Sequence, residues 1–429
     1  MDMNMRHPAE QLAIIMKRIY TQRLTTTSGG NLSIRDENGD VWMTPGTIDK
    51  GNLTRDDMVC IKPDGTVIGR HKPSSEYPFH LKIYEVRKDL KAVLHAHPAG
   101  LVAFSIVRKV PNTGLTPQAY FECGQVGMAK YAMTGSSELG ERIAEVFADQ
   151  YDVAMLENHG VVVGAKCLWE AFGIFETMEF LSRLEINAGI LGEVKGLHTD
   201  LLERYKKAQF PEMGEFVCEV HTSAEKAARK NLCDFAARAY RQGLINCVQG
   251  SFSERVGEHS FVITPHHNDR LYLAPEDIVM IEKGKKEKGK TPGRMVEVHR
   301  AIYEKHPEIK NIVICQPMNT MAFAVTDTPL DSKTIPESYI MMRDIPKLPD
   351  PISLTKPETV AEMFNESTPI VLAANDSVIV TGESMLKVFD RLEVTEYSAM
   401  SIVMSKSQGE IVPIDEKGLE EIRKGFHLK

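Results

Sequence analysis

Between Pro8 and Tyr20 the apolar residues Leu12, Ile15, Met16 and Ile19 recur at helical spacing with charged residues elsewhere, which predicts an amphipathic helix. Pro8 suits its first turn. A small-residue turn, Thr25 to Gly30, then leads into Asn31–Arg35, where the period shortens to that of a strand. Asp36-Glu-Asn-Gly39-Asp40 is a hairpin signal, and Val41–Thr44 reads as the returning strand. A second pair, Met58–Lys62 and Thr66–Ile68, flanks Pro63-Asp64-Gly65. After Lys72-Pro73-Ser74-Ser75-Glu76 a helix is predicted from Tyr77 to Arg87. The apolar run Lys91–Leu94 carries His95 and His97 to a Pro98-Ala99-Gly100 stop. Further elements are a helix over Gly140–Gln150 and strands at Val153–Leu156 and Val161–Val163. The turn Glu157-Asn158-His159-Gly160 separates those strands, and a long helix over Leu168–Ala188 closes the first half.

The second half repeats this order. Tyr20–Leu24 aligns with Tyr240–Leu244, and one constant offset also sets Gly30 on Gly250, Ser33 on Ser253 and Thr44-Pro45 on Thr264-Pro265. After small shifts the alignment resumes: Pro73 on Pro292, His80 on His299, Tyr84 on Tyr303, Phe104 on Phe323, Asn158 on Asn375 and Glu179 on Glu396. The chain therefore reads as two copies of one domain, residues 1–212 and 222–429, joined between Pro211 and Ser223. Its 429 residues suit two such domains.

Four polar residues of the first copy are lost together in the second. His95 becomes Ile314, His97 becomes Gln316, His159 becomes Asp376 and Glu76 becomes Met295, while the Pro, Tyr and Phe framework stays. A shared chemical role explains the joint loss. In a strand, residues i and i+2 face one way, so His95 and His97 present two imidazoles side by side. With His159 they make the three-nitrogen set of a catalytic zinc, or another divalent metal, with a position left open. Such an ion is a Lewis acid able to stabilise an enediolate between a ketone and a neighbouring hydroxyl. Glu76 is the candidate acid/base for the proton on the carbon between them. The small-residue turns offer donors for a phosphate: Gly30, Asn31, Thr44, Gly46, Ser74 and Ser75.

Composition narrows the setting. The formal net charge is −8 with no long basic run, which argues against nucleic acid. No stretch reads as a signal peptide or membrane span, and seven scattered cysteines without Cys-x-x-Cys spacing suit reduced thiols in the cytoplasm. Glu282–Lys290, lysine-rich with glycine, reads as an exposed loop.

Ser28-Gly29-Gly30-Asn31-Leu32-Ser33, Pro73-Ser74-Ser75-Glu76, Leu94-His95-Ala96-His97-Pro98 and Glu157-Asn158-His159-Gly160, in that order, resemble the class II aldolase/adducin family. The match covers nearly all of the first half, and the second half resembles the same fold with its motifs gone. The resemblance implies tandem three-layer α/β/α domains, each with a mixed, largely antiparallel central sheet. It implies zinc on His95, His97 and His159, Glu76 as acid/base, and phosphate contacts from Gly30, Asn31, Thr44, Gly46, Ser74 and Ser75. It also implies a catalytic tyrosine, for which Tyr120 and Tyr131 are candidates. Family members are commonly four-fold rings, so two of these chains would close a pseudo-four-fold ring. One departure is Thr44-Pro45-Gly46-Thr47, where the family usually reads Thr-Pro-Ser/Thr-Gly.

The expected activity is that of a zinc-dependent aldolase, a lyase cleaving or forming a C–C bond in a small sugar phosphate. A sugar-phosphate 4-epimerase usually carries Asp at the position of Glu76, while a dehydratase keeps Glu. A noncatalytic adducin-like binding protein is the alternative of another class, and loss of the histidines would mark it.

Overall fold

The computed structural model describes residues 3–208, 211–349 and 356–428. The outer bounds expected for the domains, Met1 and Lys429, lie outside them. Two compact units are present. One runs to Thr113 and takes in Ala119–Arg183; the other holds Gly114–Gln118 and the chain from Leu184 onward. Segments before residue 212 join the second unit because their hydrogen bonds lie there. Lys195 N–H donates to Val325 O (2.8 Å), Leu197 N–H to Gly114 O (2.8 Å), and the Asn375 amide to Leu115 O (3.0 Å). Among the described residues no helix is long and apolar enough to cross a membrane.

In the first unit, helix α1 (Pro8–Thr21) precedes four strands, β1 (Asn31–Arg35), β2 (Val41–Met43), β3 (Val59–Ile61) and β4 (Val67–Ile68). Then come α2 (Tyr77–Val86), β5 (Ala92–Ala96), α3 (Ala99–Ile106), α4 (Pro117–Cys123, its first two residues in the second unit), β6 (Val126–Ala129), α5 (Ser137–Ala148), β7 (Val153–Leu156), β8 (Val161–Ala165) and α6 (Leu168–Leu191, passing into the second unit at Leu184). The sheet order is β4-β3-β2-β1-β5-β8-β7-β6, antiparallel throughout except for β6 beside β7. Alternation along the strands divides the residues between two helical layers. Phe79 and Ile83 of α2, with Leu139, Ile143 and Phe147 of α5, pack on Val41, Met43, Val93, Leu156 and Val162. On the other side α1 meets α6, the Arg18 guanidinium lying over the Trp169 and Phe172 rings.

The second unit repeats the plan after α7 (Thr199–Ala208), β9 (Glu215–Phe216) and α8 (Ser223–Arg241). Its strands are β10 (Ser251–Gly257), β11 (Ser260–Ile263), β12 (Val279–Glu282), β13 (Lys285–Glu287), β14 (Asn311–Cys315), β15 (Lys347–Leu348), β16 (Ile370–Ala373) and β17 (Ser377–Gly382). They follow the order β15-β16-β17-β14-β10-β11-β12-β13-β9. The repeat extends to register: Asn31 faces His95 across β1 and β5, and Ser251 faces Ile314 across β10 and β14. It extends to backbone conformation too. Thr47 and His267 share φ 57°, and Asn158 and Asn375 adopt 56° and 55°.

Two expectations need correction. Glu282–Lys290 is not a loop: β12 and β13 form a hairpin across Lys283 and Gly284, both at positive φ, and β13 also pairs with β9. Lys285 and Lys286 sit on β13, whose hydrogen bonds override their charge. The helix placed at Gly140 starts at Ser137, because the Ser136 hydroxyl caps the Leu139 N–H. Helices α3 and α4 and strand β6 were not anticipated.

Candidate active site

His95 is the penultimate residue of β5, with its ring fully buried. Its Nδ1–H donates to the Val161 carbonyl of β8 at 2.9 Å, so the lone pair resides on Nε2. His97 follows one residue after the strand, and the two Nε2 atoms meet at 3.0 Å, as the i, i+2 spacing predicts. His159 arrives from the β7–β8 turn, which Asn158 closes in the left-handed region. Its Nε2 lies 3.1 Å from that of His97. Two glycines give these rings room. A Cβ on Gly160 would sit 2.7 Å from His97 Cδ2 and 2.6 Å from Ala96 O, and one on Gly29 would sit 3.1 Å from His97 Nδ1.

Burial, then the neighbouring His97 and His159, hold His95 well below the ordinary imidazole range. Burial also lowers His97 and His159, against the opposing pull of Glu76. Three neutral nitrogens therefore converge, a donor set that fits a divalent metal. Glu76, at the N-cap position of α2 and buried, completes the cluster. Its Oε2 is 3.4 Å from His95 Nε2 and its Oε1 3.7 Å from His159 Nε2. These separations suit a fourth donor around one ion, or an acid/base beside it.

The residues expected to hold phosphate are differently placed. Asn31 is buried, its amide bonded to Glu76 Oε2 (2.8 Å) and His80 Nε2 (2.5 Å). The Thr44 hydroxyl accepts from Leu32 N–H, as Thr264 does from Phe252 N–H in the other copy, which is framework work. Gly46 N–H donates to Lys72 O, and a Cβ there would press on Pro73 O at 3.1 Å. Gly30 takes φ 73°, and a Cβ on it would meet His95 O at 2.8 Å. The Ser74 Oγ accepts from Glu76 N–H at 3.3 Å, and Ser75 is exposed. Gly30 and Ser74 are buried beside the cluster, and Ser75 alone of the six is exposed. Tyr120 packs on Phe121 in α4, and Tyr131 is 57% exposed with its N–H on Glu157 Oε2. Among the described contacts neither tyrosine reaches Glu76 or the three histidines.

Sequence reasoning missed two parts. Lys50, buried beneath the Thr44–Thr47 turn, donates to Pro45 O. His80 links Asn31 to Ser33, whose hydroxyl also meets Tyr84 OH. Retention of His80, Ser33 and Tyr84 as His299, Ser253 and Tyr303 was the available signal, and it pointed to the fold.

In the second copy an ion pair stands in the corresponding place. Arg294, at the position of Ser75, donates to Asp376, at the position of His159, at 2.5 Å. Gln316 donates to Asp376 O (2.5 Å) and accepts from Gln249 (2.8 Å).

Comparison with known proteins follows the repeat. The family model described as Class II Aldolase and Adducin N-terminal domain matches residues 10–186 and again 230–403. The L-fuculose phosphate aldolase of Methanococcus maripaludis is 34% identical over 170 residues, 40% of this chain and 91% of that protein. The 5-deoxy-D-ribulose 1-phosphate aldolase of Bacillus thuringiensis is 31% identical over 201 residues, 46% of this chain and 93% of its own. The 3-oxo-tetronate 4-phosphate decarboxylase of Escherichia coli is 30% identical over 179 residues, 41% of this chain and 84% of that one.

Proposed function

The chain belongs to the class II aldolase and adducin family as an aldolase-type lyase, and we propose from this that it cleaves or forms a C–C bond in a small ketose phosphate at the His95, His97, His159 and Glu76 cluster. The observation that carries the reading is the convergence of three neutral Nε2 atoms beside a buried carboxylate. A divalent ion there, zinc above all for three imidazoles, would supply a Lewis acid for the negative charge that develops on the substrate oxygens. Glu76 moves the proton at the carbon where the bond breaks or forms. The Gly30 turn and the Ser74 and Ser75 hydroxyls anchor the phosphate near the start of α2, where the helix dipole favours an anion. The names of two relatives, both aldolases of sugar phosphates, support the substrate class.

A second reading is decarboxylation of a phosphorylated keto acid, favoured by the relative named as a decarboxylase. It develops the same charge beside a carbonyl and needs the same proton transfer. A screen of ketose phosphates and phosphorylated keto acids on metal-loaded protein separates the two. Release of an aldehyde or dihydroxyacetone phosphate supports the first, release of carbon dioxide supports the second, and neither product sinks both. For assembly, we infer a ring of two chains in which active and degenerate copies alternate.

A further inference from the structure

The two oxygens of Glu76 have different surroundings. Oε2 accepts the Asn31 amide at 2.8 Å, whereas Oε1 accepts no hydrogen bond from the described residues and faces His159. Asn31 is itself held, and donor counting gives the direction of every bond behind it. The carboxylate needs a donor, so the Asn31 nitrogen points to Glu76 and its Oδ1 must accept from His80 Nε2–H at 2.5 Å. His80 Nδ1 then accepts, from the Ser33 hydroxyl at 2.7 Å. Ser33 Oγ in turn accepts from Tyr84 OH at 2.8 Å. All four bonds run one way: Tyr84 to Ser33 to His80 to Asn31 to Glu76. Each member is buried.

The second copy serves as an internal control. His299 Nδ1 keeps Ser253 at 2.7 Å, Ser253 keeps Tyr303 at 2.7 Å, and Ser251 takes the far nitrogen of His299 at 3.0 Å. No carboxylate follows, because Met295 stands where Glu76 would be. The inner histidine, serine and tyrosine thus serve the fold. What the active copy adds is Asn31, which extends the series by one bond to Glu76, where serine ends it.

We infer that Asn31 is a positioning residue: it ties down Oε2 of Glu76 and leaves Oε1 as the oxygen that exchanges protons with substrate. The inference rests on Glu76 as acid/base.

The test is Asn31→Ser in the full, metal-loaded chain, since the second copy shows that serine satisfies this histidine. Crystal structures of both proteins should show Glu76 leaving its single rotamer in the variant while His80 keeps its place. Exchange of the α-proton of dihydroxyacetone phosphate with deuterated solvent should slow about 10- to 100-fold, the effect of losing a hydrogen bond to a charged group. KM, metal content and Tm should stay near wild type. An unmoved Glu76 rotamer, or wild-type exchange, overturns the inference. So does a raised KM with unchanged turnover, which would return Asn31 to phosphate binding. Glu76→Gln separates the two levels: wild-type exchange there sinks the acid/base reading itself. Loss of exchange in Glu76→Gln beside wild-type exchange in Asn31→Ser sinks the positioning role alone.

Discussion

The Val161 carbonyl decides what His95 can do, because it takes the Nδ1 proton and leaves Nε2 free to donate its lone pair. Depressed basicity in all three histidines means protons compete weakly with a metal until the pH is well below neutral. His97→Ala should therefore abolish bound metal while the fold persists, and elemental analysis with circular dichroism checks both. Retained metal would sink the three-histidine assignment. Lys50 supplies a different test. Burial lowers its pKa to about 8, below the ordinary lysine range of the unfolded chain. Folding then expels a proton between about pH 8 and the ordinary lysine range, so stability rises with pH across that window and is flat below it. The stability of wild type minus that of Lys50→Met should grow by about 1–3 kcal/mol from pH 8 to 10. Urea unfolding at each pH measures it, and a flat difference would show that Lys50 is not held in this state. His95, His97, His159 and Glu76 were legible because a duplicate had lost them. Lys50 and His80 were not, since Arg270 and His299 still stand at their positions and marked them as framework.

At the scale of elements, the strands legible in sequence were those whose side chains alternate, as in β1, or that form short apolar runs beside turn signals, as in β5, β7 and β8. Helix α3 escaped notice because Ala99–Ile106 is apolar nearly all round and has no helical period. Strand β6 is four residues at a sheet edge, placed by its parallel neighbour β7 rather than by its own pattern. Strand β13 carries Lys285, Lys286 and Glu287, a composition that predicts solvent and not a sheet. The site depends on how closely the β7–β8 turn approaches the end of β5. Gly160→Ala would drive a methyl into Ala96 O and His97 Cδ2. We expect at least a tenfold loss of metal affinity with only a few degrees lost in Tm, read by competition with a chelating dye and by calorimetry. Unchanged affinity would mean that the turn has slack the geometry does not show.

For the whole molecule the repeat sets the stoichiometry. Elemental analysis should return about one divalent ion per chain, because Ile314, Gln316 and Asp376 replace the three ligands. Two tight ions would contradict that. Light scattering should report two chains of 48.0 kDa, since a chain with two copies needs one partner to close a four-domain ring. A monomer retaining full activity would leave the degenerate copy without that purpose. The same copy also bears on how such a duplicate can evolve. Asp376 is wholly buried and ion-paired with Arg294. Replacing Arg294 alone takes the opposite charge away from the buried Asp376 carboxylate, at a cost of about 3–5 kcal/mol, and replacing Asp376 alone takes it away from the half-buried Arg294. A return to metal binding must change both, and Ile314, Gln316 and Met295 besides, through intermediates less stable than either end. The ion pair works as a ratchet: once it formed, drift could keep the second copy as scaffold but had no downhill path back to a second active site.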